Sequence, residues 1–215
     1  MIVFIQARSN SKRFRNKILK KIYGLPIIMH VVNKVKKAKL VKDLIVATSK
    51  NKTDDTLIKT LKSFKIKYFR GELDNVALRF LNLAKKKKCK YFARVSGDSP
   101  LLDYQVIDKA IKIHKKNKSF DLISNVFPRT FPKGQSIEII KVKSLENNIQ
   151  RMSSNELEHV TRYFYKNKNN FKIKNFKNNS KKKFIKLSID TAGDFNKIKN
   201  RIRRNNFVNF KLNDF

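Results

Sequence analysis

The sequence predicts a single α/β domain in which helices cover both faces of a mostly parallel sheet. Short apolar segments alternate along the chain with longer segments whose apolar residues recur at helical spacing, the pattern of strand–helix–strand units. The 215 residues suffice for one sizeable domain but not for two generous ones. The apolar share is 40% and includes 17 Phe, so the chain can build a core rather than stay disordered.

Six segments are predicted as strands because they are short, apolar and bounded by polar or turn-forming residues. They are Ile2–Gln6, 44–47, 66–69, 91–95, Leu122–Ser124 and 184–189. The predicted helices begin at Pro26, at Thr53 with Asp54 and Asp55, at Leu73, at Asp103, at Ser153 with Glu156 (running through Tyr165), and at Thr191 with Asp194. Residues 127–138 hold two prolines and a glycine, which predicts an insertion around 126–180 within one domain spanning 1–215.

The composition excludes several classes of protein. No apolar run approaches the roughly 20 residues that a membrane span needs. The apolar start, residues 1–5, has no basic region before it, and Gln6-Ala7-Arg8 ends it too early for a secretion signal. The single Cys89 excludes an internal disulfide framework and a multi-cysteine zinc site. We therefore expect a cytoplasmic protein.

A formal net charge of +36 makes nucleic acid an obvious candidate partner, because basic surfaces bind polyanions through counterion release. The distribution of the charge argues against a dedicated binding face. Lysines are spread along nearly every predicted helix, and the runs at 85–88 and 181–183 fall in connecting segments. We expect no specific nucleic-acid partner, although the charge would concentrate small anionic substrates near the protein.

Missing motifs narrow the chemistry further. The five glycines, at positions 24, 71, 97, 134 and 193, can form neither a G-x-G-x-x-G motif nor a Walker P-loop. The chain has no G-x-S-x-G elbow, and the histidines at 30, 114 and 159 form no HExxH site. Usual dinucleotide binding, acyl hydrolysis and zinc proteolysis are therefore excluded.

The first predicted strand leads into a loop dense in cations, residues 7–17. Ligands of open α/β sheets bind beyond the carboxyl ends of the strands, so Arg8, Arg13 and Lys17 would face a bound polyphosphate. The small residues Ala7 and Ser9 would let the backbone approach it. A solvated basic loop is the alternative in so basic a chain.

Two aspartates are predicted at the same edge of the sheet. Asp98 follows the fourth predicted strand, and Asp190 follows the last one. Magnesium prefers hard oxygen ligands and keeps several positions for water and substrate, so these carboxylates opposite a cationic loop suit a magnesium–phosphate site. Asp98 as a plain turn residue and Asp190 as a helix-flanking acid are the alternatives.

Motifs spread over nearly the whole chain resemble one enzyme family, the cytidylyltransferases that make CMP-activated sugars. The motifs are Ile5-Gln6-Ala7-Arg8 with Ser11-x-Arg13 and Lys17, Ala47-Thr48-Ser49 with Asp54-Asp55, Phe69-Arg70-Gly71-Glu72-x-Asp74 with Arg79, Arg94-Val95-Ser96-Gly97-Asp98-Ser99-Pro100-Leu101, Ser124-Asn125, Arg129-Thr130-Phe131-Pro132-x-Gly134 with Glu138, Glu158-His159-Val160-Thr161, and Asp190-Thr191-x-x-Asp194-Phe195. Within this family the chain most resembles the spore coat polysaccharide biosynthesis protein F group, relatives of CMP-Kdo and CMP-sialate synthetases.

The resemblance implies a nucleotide-diphospho-sugar transferase fold, a three-layer α/β/α sandwich. It implies transfer of CMP from CTP to a sugar or sugar acid, with Mg²⁺ as the cofactor and a homodimer as a possible assembly. The implied metal ligands are Asp98 and Asp190, and the implied catalytic residues are Lys17, Arg8 and Asp98. Implied CTP contacts are Ala7, Arg8, Ser9, Arg13, Lys17, Arg70 and Arg79, and implied sugar contacts are Asn125, Glu138 and His159.

The chain departs from the family pattern in three stretches, at Phe14-Arg15-Asn16, at Gln135-Ser136-Ile137 and at Leu157. Asn16 stands where a glycine is usual before Lys17, and asparagine is the next residue best able to adopt a positive φ. Ser136 replaces an acid, and Leu157 replaces an arginine, both near the expected sugar pocket. These changes leave the sugar unidentified. A transferase of another nucleotide or acceptor, and a basic nucleic-acid-binding protein on a degenerate enzyme fold, remain alternatives.

Overall fold

This computed structural model describes residues 1–11, 13–178, 185–202 and 204–212. The strands in these ranges are β1 (Ile2–Gln6), β2 (Lys21–Ile22), β3 (Leu25–Pro26), β4 (Asp43–Ser49), β5 (Tyr68–Gly71), β6 (Tyr91–Ser96), β7 (Leu122–Ser124), β8 (Glu138–Lys141) and β9 (Ile173–Asn175). The helices are α1 (Ile27–Lys37), α2 (Asp55–Ser63), α3 (Val76–Lys86), α4 (Tyr104–Lys116), α5 (Val142–Asn148), α6 (Ser154–Glu158), α7 (Arg162–Lys166), α8 (Ala192–Arg201) and α9 (Arg204–Asn209). Short 3-10 turns begin at Lys17, Lys52, Ile149 and Lys168.

Seven strands form the central sheet, in the order β5-β4-β1-β6-β8-β7-β9. The pairs β5–β4, β4–β1, β1–β6 and β7–β9 are parallel, while β8 runs antiparallel to both β6 and β7. The carboxyl ends of β1, β4 and β6 therefore meet at one edge of the sheet, where open α/β sheets bind their ligands. The strands β2 and β3 form a separate antiparallel pair.

Apolar side chains of successive residues in β1 point to opposite faces of the sheet, and each face is covered by helices. Val3 and Ile5 join a core cluster with residues of α1, α2, α4 and α8. Phe4 joins the second cluster, with residues of α3, α5 and α7, and its ring stacks 4.7 Å from that of Phe92. The three-layer α/β/α fold is thus confirmed.

Several boundaries differ from the predicted ones. The segment predicted as a strand at 184–189 has no regular strand among its described residues; Lys186 makes an isolated bridge to Lys133, and Phe184 lies outside the described residues, as does the run 181–183. The helix predicted from Ser153 through Tyr165 is interrupted at 159–161 and forms α6 and α7. The helix predicted to be last, α8, is followed by α9.

The region 126–180 contributes directly to the central sheet. It supplies β8, which lies between β6 and β7, and β9 at the sheet edge. Both strands were missed, because Ile139 and Ile140 form a short apolar run next to a loop rich in turn residues, and β9 is largely polar. The single domain with a substrate or dimer insertion stays a prediction. Among the described residues, no helix is both long and apolar enough to cross a membrane.

Candidate active site

A cleft of about 560 Å³ opens at the carboxyl ends of β1 and β6. Polar and charged side chains dominate its wall. The residues that line it are Gln6, Ala7, Arg8, Asn10, Ser11, Arg13, Lys17, Ile18, Leu73, Asp74, Ser96, Asp98, Glu158, His159 and Asp190. The cleft therefore collects the cationic loop and both predicted metal ligands at the edge of the sheet where the sequence placed them.

The loop after β1 is held in place from below by Asp54. This carboxylate is fully buried, and its Oδ1 accepts a 2.6 Å hydrogen bond from the backbone NH of Ser9. Its Oδ2 accepts hydrogen bonds from the hydroxyls of Thr48 and Ser49. The carbonyl of Ser9 in turn accepts the backbone NH of Asn16, which closes the loop. The described residues of the loop are thus held by hydrogen bonds at Ser9 and Asn16.

Lys17 lies between the two aspartates. Its ammonium nitrogen is 2.7 Å from Oδ2 of Asp98, 3.4 Å from Oδ1 of Asp190 and 2.8 Å from the carbonyl of Ile189. Only 12% of the Lys17 side chain is exposed, so solvent screens these contacts little. The hydroxyls of Ser96 and Ser99 donate to Oδ1 of Asp98 and fix its orientation.

The backbone brings Asp190 next to Asp98. The NH of Leu187 donates to the carbonyl of Lys133 at 2.7 Å, and the NH of Ile189 donates to the carbonyl of Asp98 at 2.9 Å. The predicted capping box of Thr191 and Asp194 is present and begins α8 immediately after Asp190. Asp190 is therefore held from both sides, by the sheet edge and by a helix start.

Asp190 is also surrounded by cations. Lys186 donates to its Oδ2 at 2.9 Å, and Arg13 is 3.5 Å from its Oδ1. Burial by itself raises the pKa of Asp190, but the hydrogen bond from Lys186 and the charge of Lys17 outweigh burial, so the net pKa is lowered. The carboxylate is thus kept ionised, as a metal ligand must be.

The donor set fits magnesium. Two carboxylates contact one ammonium group, so one cation can contact both of them. Magnesium is usually bound by one or two carboxylates together with substrate phosphates and water. No group of three or more His, Cys, Asp or Glu side chains suited to a metal occurs in the described part of the chain, so the other ligands would come from substrate and water.

The cleft wall contains a further ion pair, formed by Arg8 and Glu158. Arg8 donates to Oε1 of Glu158, the last residue of α6, at 2.7 Å. Leu73, Asp74 and His159 also line the cleft. This part of the wall comes from segments separate in sequence from Asp98 and Asp190.

Comparison with known proteins identifies the family. The sequence model of a family described as "Cytidylyltransferase" matches residues 2–209. The chain belongs to the cytidylyltransferase family. The resemblance that the sequence motifs predicted is therefore confirmed.

Three similar proteins match most of the length of this chain. The chain is 34% identical over 91% of its length, and 80% of the relative's, to an uncharacterized protein of Methanocaldococcus jannaschii. It is 26% identical, over 93% of its length and 85% of the relative's, to the spore coat polysaccharide biosynthesis protein SpsF of Bacillus subtilis. A solved cytidylyltransferase structure from Leptospira borgpetersenii superposes with a TM-score of 0.88 at 28% identity, covering 92% of this chain and 84% of that one.

A cytidylyltransferase acting on 3-deoxy-manno-octulosonate, from Geotalea daltonii, is 32% identical over 109 residues. That match covers 50% of this chain and 42% of the relative. A CMP-2-keto-3-deoxy-manno-octonic acid synthetase solved with CTP shares the fold, with a TM-score of 0.73 at 15% identity over 93% of this chain and 97% of that one.

Of the predicted CTP contacts, Ala7, Arg8, Arg13 and Lys17 line the cleft, but three others do not. Ser9 is only 1% exposed and lies beneath the wall. Arg70 is not among the residues that line the cleft; it donates to the carbonyls of Ser49 and Asn51 and pairs with Asp55. Arg70 thus joins β5 to the start of α2, and its contact with CTP stays a prediction.

Arg79 is fully buried, and its contact with CTP stays a prediction. Its guanidinium donates to the carbonyls of Glu72 and Leu73. Burial lowers its pKa to about 10. Arg79 thus shapes the segment that presents Leu73 and Asp74 to the cleft.

Two of the three predicted sugar contacts are also buried. Asn125 is fully buried and hydrogen-bonds the backbone of Gln135 and Ile137. Glu138 is 6% exposed, pairs with Arg94 at 2.8 Å and accepts the hydroxyl of Tyr165. Both side chains are thus held by internal hydrogen bonds, and their contact with a sugar stays a prediction, while the third, His159, lines the cleft.

Sequence reasoning missed several lining residues as site candidates, namely Gln6, Ser96, Leu73, Asp74 and Glu158. Gln6 and Ser96 end the strands β1 and β6 that lead to the cleft, so their positions were a usable signal. Leu73, Asp74 and Glu158 reach the cleft only through tertiary packing of α3 against α6.

Proposed function

We propose that this cytidylyltransferase moves CMP from CTP onto a hydroxyl of a sugar or sugar acid, with pyrophosphate leaving and magnesium required. The observation that carries the proposal is the grouping of Lys17, Asp98 and Asp190, with Arg8 and Arg13, in one cleft. Three cationic and two anionic side chains in one cleft can together bind the phosphates of a nucleotide and one divalent metal ion. Two relatives, a spore coat polysaccharide biosynthesis protein and a 3-deoxy-manno-octulosonate cytidylyltransferase, support a sugar acceptor.

The chain's own residues position the reactants rather than react covalently. Arg8, Arg13 and Lys17 bind the triphosphate and orient its α-phosphorus toward the acceptor. The acceptor oxygen forms a bond to the α-phosphorus, the bond to the bridging oxygen of pyrophosphate breaks, and the hydroxyl proton is released. Lys17 stabilises negative charge that develops on the leaving pyrophosphate. Magnesium held by Asp98 and Asp190 would neutralise part of the triphosphate charge and polarise the α-phosphate.

Pyrophosphate release from purified protein tests the proposal. Four nucleoside triphosphates are each combined with a panel of sugar acids and aldoses in the presence of magnesium. We expect release that requires CTP, depends on one class of acceptor and stops on addition of EDTA. The Asp98→Asn variant should be inactive with the same panel, because Lys17 and the metal lose a carboxylate partner.

Other outcomes identify the alternatives. A preference for another triphosphate, or for a non-sugar acceptor, would replace the substrate assignment within the same fold. Activity that persists in EDTA or in Asp98→Asn would contradict the metal assignment. Inactivity with every triphosphate, together with sequence-selective DNA binding, would favour a nucleic-acid-binding protein.

A further inference from the structure

The ion pair between Arg8 and Glu158 connects two parts of the cleft wall. Arg8 follows β1 at the carboxyl edge of the sheet, and Glu158 ends α6, which packs against α3 on one face. The two charged groups are 2.7 Å apart, and their side chains are 37% and 35% exposed. Both line the cleft, so a ligand entering it can reach and separate them.

Glu158 depends on Arg8 for its counter-charge. Among the described residues, Arg8 is the one cation that pairs with Glu158. Removing Arg8 from this contact would leave an ionised acceptor group exposed in the cleft beside His159.

Arg8 in turn has a stronger potential partner. A triphosphate carries several negative charges and offers the paired oxygens that a guanidinium binds in bidentate fashion, whereas Glu158 offers one negative charge. Arg8 lines the same cleft as Lys17 and Arg13, so a triphosphate bound by those two residues lies within reach of Arg8. A triphosphate in the cleft would therefore draw Arg8 away from Glu158.

We infer that Glu158 exchanges partners during the reaction: it holds Arg8 in the free protein and, once a triphosphate binds Arg8, accepts a hydrogen bond from an acceptor hydroxyl. An ionised carboxylate is purely a hydrogen-bond acceptor, and a sugar presents hydroxyl donors. Glu158 is thus a positioning and recognition residue for the acceptor. The second half of this inference rests on the proposed function, whereas the release of Arg8 requires only triphosphate binding.

The Glu158→Gln variant tests both halves because it should shift the two affinities in opposite directions. Titration calorimetry with CTP and magnesium, without acceptor, should show CTP binding two- to fivefold tighter, the range that loss of one exposed ion pair allows. In steady-state kinetics the KM of the acceptor should rise about tenfold or more, since a charged hydrogen-bond acceptor is lost. A merely structural role would weaken both affinities or neither.

Two controls make the result specific. Glu146→Gln removes an equally exposed carboxylate, also 35% exposed and paired with a lysine at 2.7 Å, but outside the cleft, and should leave both affinities unchanged. In an Arg8→Ala background, Glu158→Gln should no longer tighten CTP binding, because the contact that it relieves is gone.

Unchanged or weaker CTP binding in Glu158→Gln would overturn the release of Arg8. An unchanged acceptor KM, in wild-type protein that transfers CMP, would overturn the recognition role. If the wild-type protein transfers no CMP to any acceptor, the proposed function fails, and the calorimetric result still decides whether triphosphate binding releases Arg8.

Discussion

Lys17 makes three contacts that no exposed lysine could keep rigid. Its ammonium group binds Asp98, Asp190 and the carbonyl of Ile189 while being almost fully enclosed. A cation fixed in this way needs little reorganisation when charge develops on a leaving group, which is the condition for electrostatic catalysis.

Lys17→Ala should therefore reduce kcat by roughly 100-fold or more, the scale seen on loss of one preorganised electrostatic donor. The KM of CTP should change less, because Arg8, Arg13 and the metal share ground-state binding. Steady-state kinetics with Lys21→Ala, an exposed lysine outside the cleft, provides the control. A rise in KM alone would reduce Lys17 to a binding contact, and no effect would remove it from the site.

Asn16 supplies the backbone geometry that presents Lys17. Its φ is 54° and its ψ is 25°, in the left-handed region. This explains why the family pattern has glycine here and why asparagine replaces it acceptably. The structure therefore has, at Asn16, the positive φ that the usual glycine of the family pattern suggested.

The effect of a substitution at Asn16 on stability should depend on how easily the new residue adopts the left-handed conformation. Asn16→Gly should keep wild-type activity, whereas Asn16→Ala should lower the free energy of unfolding by about 1–2 kcal/mol because alanine adopts this region poorly. Thermal unfolding and activity of the two variants measure this. An Asn16→Ala variant as stable as Asn16→Gly would show that the loop does not require the left-handed conformation.

At the scale of elements, the segment 185–190 places Asp190 without being a regular strand. It packs against the loop around Gly134, whose φ is 100°. A Cβ at this glycine would lie 2.5 Å from the backbone carbon of Leu187 and 2.8 Å from the nitrogen of Ser188. Only glycine fits both the conformation and the space.

Gly134→Ala should therefore lower the free energy of unfolding by about 1–3 kcal/mol through backbone strain. It should also weaken magnesium-dependent CTP binding, because it displaces Asp190. Gly193→Ala is the matched control. Gly193 lies in α8, and the nearest atom to a Cβ there would be the hydroxyl oxygen of Thr191, at 3.7 Å. Alanine there should be neutral or stabilising, by up to about 1 kcal/mol. Equal unfolding temperatures for the two variants would contradict the packing argument.

The strands that lead to the cleft and the buried residues around it show what the sequence could and could not predict. The strands β1, β4 and β6 and the aspartate after β6 follow from local patterns, because apolar period and turn residues encode them. The inward orientation of Arg79, Asn125 and Glu138 does not, since each is fixed by partners such as Leu73, Gln135 and Arg94 that only the fold brings near. Motif membership identified these residues, but it could not distinguish a contact with substrate from support of the wall.

At the scale of the whole molecule, the net charge of +36 is far larger than the number of cationic residues in the cleft. Cationic residues of the cleft pair with Asp98, Asp190 and Glu158, while lysines occur on most helices. A diffuse excess of this kind attracts polyanions without selecting among them.

DNA should therefore bind weakly, without sequence preference, and with an affinity that falls steeply between low and physiological salt. Fluorescence anisotropy with two unrelated duplexes at several salt concentrations measures this. Tight binding at physiological salt that discriminates between the duplexes would instead indicate a dedicated nucleic-acid surface. Homodimerisation stays a prediction that sedimentation can check separately.

The central claim is that the cleft directs attack at the α-phosphorus of CTP. ³¹P nuclear magnetic resonance of a reaction containing CTP, magnesium and the active acceptor tests this directly. The account predicts equal amounts of pyrophosphate and of a product whose single phosphorus links cytidine to the acceptor. Formation of CDP with a phosphorylated acceptor or with orthophosphate would place the attack at the γ-phosphorus and contradict the account.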